Sequence, residues 1–171
     1  MQKNNYAVDR QATSLLDITF WSNIVVIALL IAINAVNFYR AATGGDTLVK
    51  IASPELIAIL SAVLALWMGV SCFTAMRVKA RLKKVYLRLT ETGVMGISMP
   101  EPMNNKKGTA FEIAYADITE IHIAEMHVTA KSTISSLRIV CGKQEYDVPA
   151  PEHLQELMEL LGDRIGRREV P

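Results

Sequence analysis

The sequence predicts an α+β membrane protein: a two-helix transmembrane hairpin followed by a small antiparallel β-barrel that a C-terminal helix caps. Three observations predict it. Two long stretches, 18–39 and 55–76, carry no charged side chain apart from Glu55. From residue 85 onward apolar and polar residues alternate with period two, in short runs separated by turn residues. Leu154, Leu157, Met158, Leu161 and Ile165 then fall at helical spacing.

The bulk composition agrees. The chain has 171 residues, 51% of them hydrophobic, yet 20% are charged and the net charge is +1. High apolar content beside ordinary charge content implies two segregated solvents rather than one large core. The balanced charge gives no global field favouring nucleic acid. Cys72 and Cys141 supply no disulfide framework and are expected to pack as small hydrophobes in a reduced compartment.

Residues 1–17 are read as a cytoplasmic N-terminal tail. They hold Asp9 and Asp17 beside Lys3 and Arg10, and the apolar stretch after them is longer than the ~7–15 residues of a signal-peptide core. It is therefore expected to be a retained helix. Transmembrane helix 1, 18–39, reads ITFWSNIVVIALLIAINAVNFY, with Phe20, Trp21 and Tyr39 as an aromatic belt. Transmembrane helix 2, 55–76, reads ELIAILSAVLALWMGVSCFTAM. At ~1.5 Å per residue each crosses a hydrocarbon core of ~30 Å.

The external loop, 40–54, contains the turn signal Gly44-Gly45-Asp46 and ends at Pro54, which suits a helix start. Lysine and arginine number two before the first span, two in the loop and six from Arg77 to Arg88. Positive charge gathers on the cytoplasmic side, so both termini are expected in the cytoplasm and the protein in the cell (inner) membrane as a multi-pass chain. Within the spans, Ala28 and Ala32 on one helix and Ser61, Ala65 and Gly69 on the other permit close helix packing. Asn23, Asn34 and Asn37 share one side of the first helix and are expected to turn inward for hydrogen bonds. No ionisable residue lies mid-span to carry an ion.

A basic juxtamembrane hinge, 77–84, brings Arg77, Lys79, Arg81, Lys83 and Lys84. Each cation near an anionic leaflet contributes on the order of 1 kcal/mol, so these residues are candidate lipid-headgroup contacts. Lys106 and Lys107, in the polar loop 100–109, are the further candidates.

The soluble domain, 85–168, is expected to hold six strands, in 85–90, 94–99, 110–115, 116–128, 135–141 and 144–148. Glu91-Thr92-Gly93 reads as a hairpin with glycine in the left-handed position, and Gly142-Lys143 as a second tight turn. Pro149-Ala150-Pro151 ends the sheet, and Arg164, Arg167 and Arg168 complement the negative end of the final helix.

YLRLTETGVMGIS (86–98), FEIAYADITEIHI (111–123), LRIVCGKQEYDVP (137–149) and the final helix together resemble a bacterial pleckstrin-homology-like domain, of the kind that follows transmembrane hairpins in small bacterial membrane proteins. The resemblance covers 85–166. It implies a seven-stranded barrel closed by a helix, with binding or scaffolding as its role. The acidic first hairpin lacks the basic cluster of lipid-reading relatives.

No catalytic constellation is present: neither a nucleophile elbow, a phosphate-cradling glycine loop nor a zinc-protease helix occurs. His122 and His127 differ by five positions, which on a strand puts them on opposite faces, so no metal site is expected. The expected function is therefore a non-enzymatic, cofactor-free, membrane-anchored adaptor. Its partners are the lipid bilayer and either a protein partner or its own copies, with no nucleic acid and no small-molecule substrate. The alternatives are an anionic-lipid sensor that uses the basic hinge, and an accessory subunit of a larger membrane complex contacted through Asn34 and Asn37.

Overall fold

A computed structural model describes residues 5–46, 48, 53–102, 108–129 and 132–166. The chain divides into two compact units: Leu16–Met76, and Met1–Leu15 together with Arg77–Pro171.

The first unit is built from two helices. Helix α1 runs Arg10–Ala42 and helix α2 runs Pro54–Leu82, so both outrun the apolar stretches that predicted them. No breaker separates Arg10 from Ile18, and RVKARL after Met76 holds no glycine or proline and mostly good helix formers, so neither helix has reason to stop at the apolar boundary. The basic stretch 77–84 is accordingly helix through Leu82 and turn at Lys83-Lys84. Helix α1 ends in a Schellman motif: Gly44, at φ +73°, donates to Ala41 O, and Gly45 donates to Arg40 O at 2.9 Å. Helix α2 starts on Pro54 with Ser53 as its cap.

Both helices are long and apolar enough to cross a membrane, and only 6% of each apolar window is buried. Leu66 and Trp67 are 71% and 75% exposed. Apolar surface of this extent is rare on a water-solvated protein.

The second unit holds two antiparallel sheets. The first has the order β1 (Asn5–Ala7), β2 (Tyr86–Leu89), β3 (Gly93–Ser98), β4 (Thr109–Ala114). The second has the order β5 (Glu120–Thr129), β6 (Ser132–Cys141), β7 (Gln144–Pro149). Helix α3, Leu154–Gly166, follows and buries Leu157 and Leu161 completely. At ~1.5–3 kcal/mol for each fully buried leucine, these two side chains account for much of its docking. They join Leu87, Leu89, Val94, Leu137, Ile139 and Val148 among the fully buried side chains.

Two features correct the sequence reading. The expected barrel does not close: the two sheets are separate ladders. Between β4 and β5 the chain makes a 3₁₀ turn at Tyr115–Asp117, which breaks the ladder where a barrel would continue it. Between β3 and β7 the link is local, with Met99 N donating to Asp147 O at 2.7 Å. Gly93 is also not left-handed, since Gly44 and Gly142 are the glycines with positive φ. Glycine is required at 93 because a Cβ there would collide with the carbonyl oxygen of Ile113 on the neighbouring strand.

All six strands expected after residue 85 are present, and a seventh comes from ahead of α1. Strand β1 pairs with β2 through Asn5–Arg88, Tyr6–Leu87 and Ala7–Tyr86. Residues expected to form a tail thus complete a sheet, and Tyr6 is buried. The two-helix hairpin is inserted between the first and second strands of the domain.

Candidate functional site

Among the five cations of the basic stretch, Arg77, Lys83 and Lys84 are exposed and Lys79 and Arg81 are half-buried. Arg81 donates to the carbonyl oxygen of Pro102 at 3.2 Å, tying the helix end to the start of the polar loop. Arg88, opposite Asn5 in the first sheet, adds a fourth exposed cation. Lys106 and Lys107 lie outside the described residues, as do Arg167 and Arg168.

In the helical hairpin, Asn23 Nδ2 donates to Ser71 Oγ at 3.0 Å, and the Cys72 thiol faces the Phe20 carbonyl at 3.6 Å. Asn37 is buried and its Oδ1 accepts from Leu48 N at 2.9 Å, leaving Nδ2 without a partner. Asn34 turns back to the Leu30 carbonyl of its own helix, and its Oδ1 is also buried and unpaired. The three asparagines share the less exposed side of α1, while Ala28 and Ala32 lie on its exposed side. On α2, Ser61 and Ala65 are half-buried, and Gly69 is exposed with open space around it.

His122 and His127 remain on opposite faces of β5, because the register is regular from Glu120 to His127 and shifts only beyond it. Nδ1 of His122 stands 3.3 Å from Glu120 Oε1. That contact is an ion pair only when the imidazole is protonated, and its geometry makes no hydrogen bond. No group of three or more histidine, cysteine or acidic side chains converges among the described residues.

Two clusters hold the domain together, and the sequence reading did not single them out. Asp147 joins the two sheets: its carboxylate takes two hydrogen bonds from Arg138 on β6, at 2.6 and 3.0 Å, while its N–H donates to Ser98 Oγ on β3 at 3.0 Å. The carboxylate's hydrogen bond is the main cause that raises the Arg138 pKa above its ordinary value. A two-residue turn at Gly142-Lys143 sets 138 opposite 147, so the hairpin register could have revealed this pair. At the other end, Arg164 of α3 donates to Thr90 O and to Tyr115 Oη, both at 2.8 Å, and lies over the Tyr115 ring. No spacing rule could have joined residues so far apart in the chain.

No protein-family model, curated protein or solved structure matches this chain.

Proposed function

We propose that the chain is a non-catalytic, membrane-anchored adaptor whose hairpin tethers a pleckstrin-homology-like domain to the cytoplasmic face of the inner membrane. The domain binds a protein partner or another copy of itself. One observation carries this reading: β1 precedes α1 and pairs with β2, which follows α2. A chain whose two helices both cross a bilayer must return to the side it left, and this pairing requires that return. Seven strands in a four-plus-three arrangement with a C-terminal helix support the family resemblance, although the sheets do not close. Six cations from Arg77 to Arg88 support the cytoplasmic side.

The test uses the full-length chain, since a fragment starting at residue 85 would lack β1. Membranes expressing it are washed with alkaline carbonate and then solubilised in mild detergent. The adaptor reading expects retention through the wash, followed by co-elution with a partner or an oligomeric mass. A strictly monomeric, partner-free protein contradicts it.

The exposed Arg77, Lys83 and Lys84 favour anionic-lipid contact as a second reading. Native mass spectrometry from mixed-lipid membranes tests it. Anionic lipid should be enriched around the native chain, and replacing these three residues by serine should abolish the enrichment. Equal enrichment in the variant contradicts lipid contact through these cations.

A further inference from the structure

We propose that a cleft between the first turns of α1 and the leading end of β6 is a docking groove for an extended, cationic peptide segment of a partner protein. This rests on the adaptor reading and names its contact site. The cleft encloses about 310 Å³, at the lower end of ligand-binding clefts. Asp9 and Ala12 line it from the α1 side, Thr133 and Ile134 from β6, and Ala150 and Leu154 from the chain after β7.

A free length of strand edge opens into this cleft. Strand β7 pairs with β6 only as far as Ser136–Pro149, and one more bond follows, from Ala150 N to Ser135 O at 2.9 Å. The chain then leaves β6. The Ala150 carbonyl accepts from Asp9 N at 2.8 Å, and Pro151 forms a bridge with Val8. In an antiparallel ladder the residues that bond to one side recur every second position. The Ser135 carbonyl points towards β7, so the N–H and C=O of Thr133 point the same way, where β7 no longer runs. Among the described residues, no backbone bond outside the sheet ladders reaches Thr133. An added extended segment would take these two groups, as in strand addition to an open sheet edge. Its side chains would meet the apolar surface of Ile134, Ala150 and Leu154.

The charge of the occupant follows from the lining, in which Asp9 is the one acidic or basic side chain among the described residues. Asp9 caps α1, with Oδ1 accepting from Gln11 N at 2.9 Å. A helix N-terminus carries roughly half a positive charge, so the full carboxylate charge outweighs it on the α1 side of the cleft, which the neighbouring exposed Arg10 does not line. A lysine or arginine in the bound segment would meet that charge.

The test places the full-length chain in zwitterionic phosphatidylcholine nanodiscs and titrates three fluorescent probes: acetyl-Lys-Val-Lys-Val-amide, the same peptide with glutamate for lysine, and its N-methylated form. The lysine peptide should bind, with the other two weaker by roughly tenfold or more. Asp9→Asn should weaken the lysine peptide while leaving the melting temperature unchanged, because asparagine caps a helix as aspartate does. Thr133→Pro should abolish binding and still fold, since the N–H it removes faces the open edge. Equal affinity for all three probes, or no effect of either substitution, overturns the proposal. A partner retained equally by native chain and Thr133→Pro in mild detergent overturns the groove and leaves the adaptor reading standing. Absence of any partner or self-association in the native chain overturns both. Self-association lost in Thr133→Pro, with no peptide bound, assigns the groove to a second copy and overturns a partner peptide as its occupant.

Discussion

Tyr6 lies directly opposite Leu87 in the first sheet, although both membrane-length helices separate them in sequence. Both side chains are buried, Leu87 completely. The two-helix segment is therefore an insertion within the domain's own first sheet, between β1 and β2.

Tyr6→Ala should accordingly destabilise the domain, although it alters a residue near the start of the chain. Truncating a buried aromatic to alanine costs about 3–5 kcal/mol, and a short edge strand belongs at the lower end of that range. Thermal unfolding of the detergent-solubilised chain measures it. An unchanged midpoint would mean that β1 contributes nothing to the fold.

Asp147→Asn should cost more than Glu145→Gln, although both carboxylates face Arg138. Asp147 has a side chain only 6% exposed and a bidentate geometry, whereas Glu145 is 57% exposed. Losing the buried partner should cost about 2 kcal/mol, against roughly 0–1 kcal/mol for the exposed pair. Chemical denaturation of the two variants decides it, and equal midpoints would deny the buried Asp147–Arg138 pair a larger share of stability than the exposed Glu145–Arg138 pair.

Among the glycines, Gly93→Ala should be the most damaging. Its new methyl group meets backbone on β4, which cannot yield as a flexible side chain would. Gly142→Ala enters open space but must hold φ near +60°, at a cost of about 1–2 kcal/mol. Gly69→Ala has room and a helical backbone, and should be neutral or slightly stabilising. Melting temperatures in this order are expected; a Gly93 variant as stable as the Gly69 variant would contradict the close approach of β3 and β4.

In the hairpin, Asn23→Ala should weaken helix association by about 0.6 kcal/mol through loss of the Ser71 contact. Asn34→Leu should not, because Asn34 bonds only within its own helix and leaves an acceptor unpaired. Steric-trapping or denaturant titration in bicelles compares them, and a larger loss in Asn34→Leu would show that its amide has a partner across the hairpin.

Much of this architecture was legible because its causes are local. Uncharged runs long enough to cross a membrane predict both helices, and period-two alternation with Gly142-Lys143 predicts the strands and the tight turn between the last two. Strand β1 was not legible: three residues, Asn5–Ala7, are too few to display a period, and their partner lies beyond two helices. The separation into two sheets depends on the 3₁₀ turn at Tyr115–Asp117, whose residues AYAD look like an ordinary strand-to-turn boundary. Arg164 was legible as a helix-end cation, but its tie to Thr90 and Tyr115 arises only once the chain has folded back. The groove beside Thr133 was invisible for the same reason, since it exists where β7 departs and α1 begins.

The most direct measurement is labelling of single cysteines by a membrane-impermeant maleimide on intact spheroplasts, with Cys72 and Cys141 replaced by alanine. Cysteines are placed at Asn5, Asp46 and Glu145, all exposed positions outside the apolar stretches. A hairpin inserted in the domain expects Asp46→Cys to label in intact cells, and Asn5→Cys and Glu145→Cys to label together only after permeabilisation. Labelling of positions 5 and 145 on opposite sides, or recovery of the chain in the soluble fraction, would contradict it.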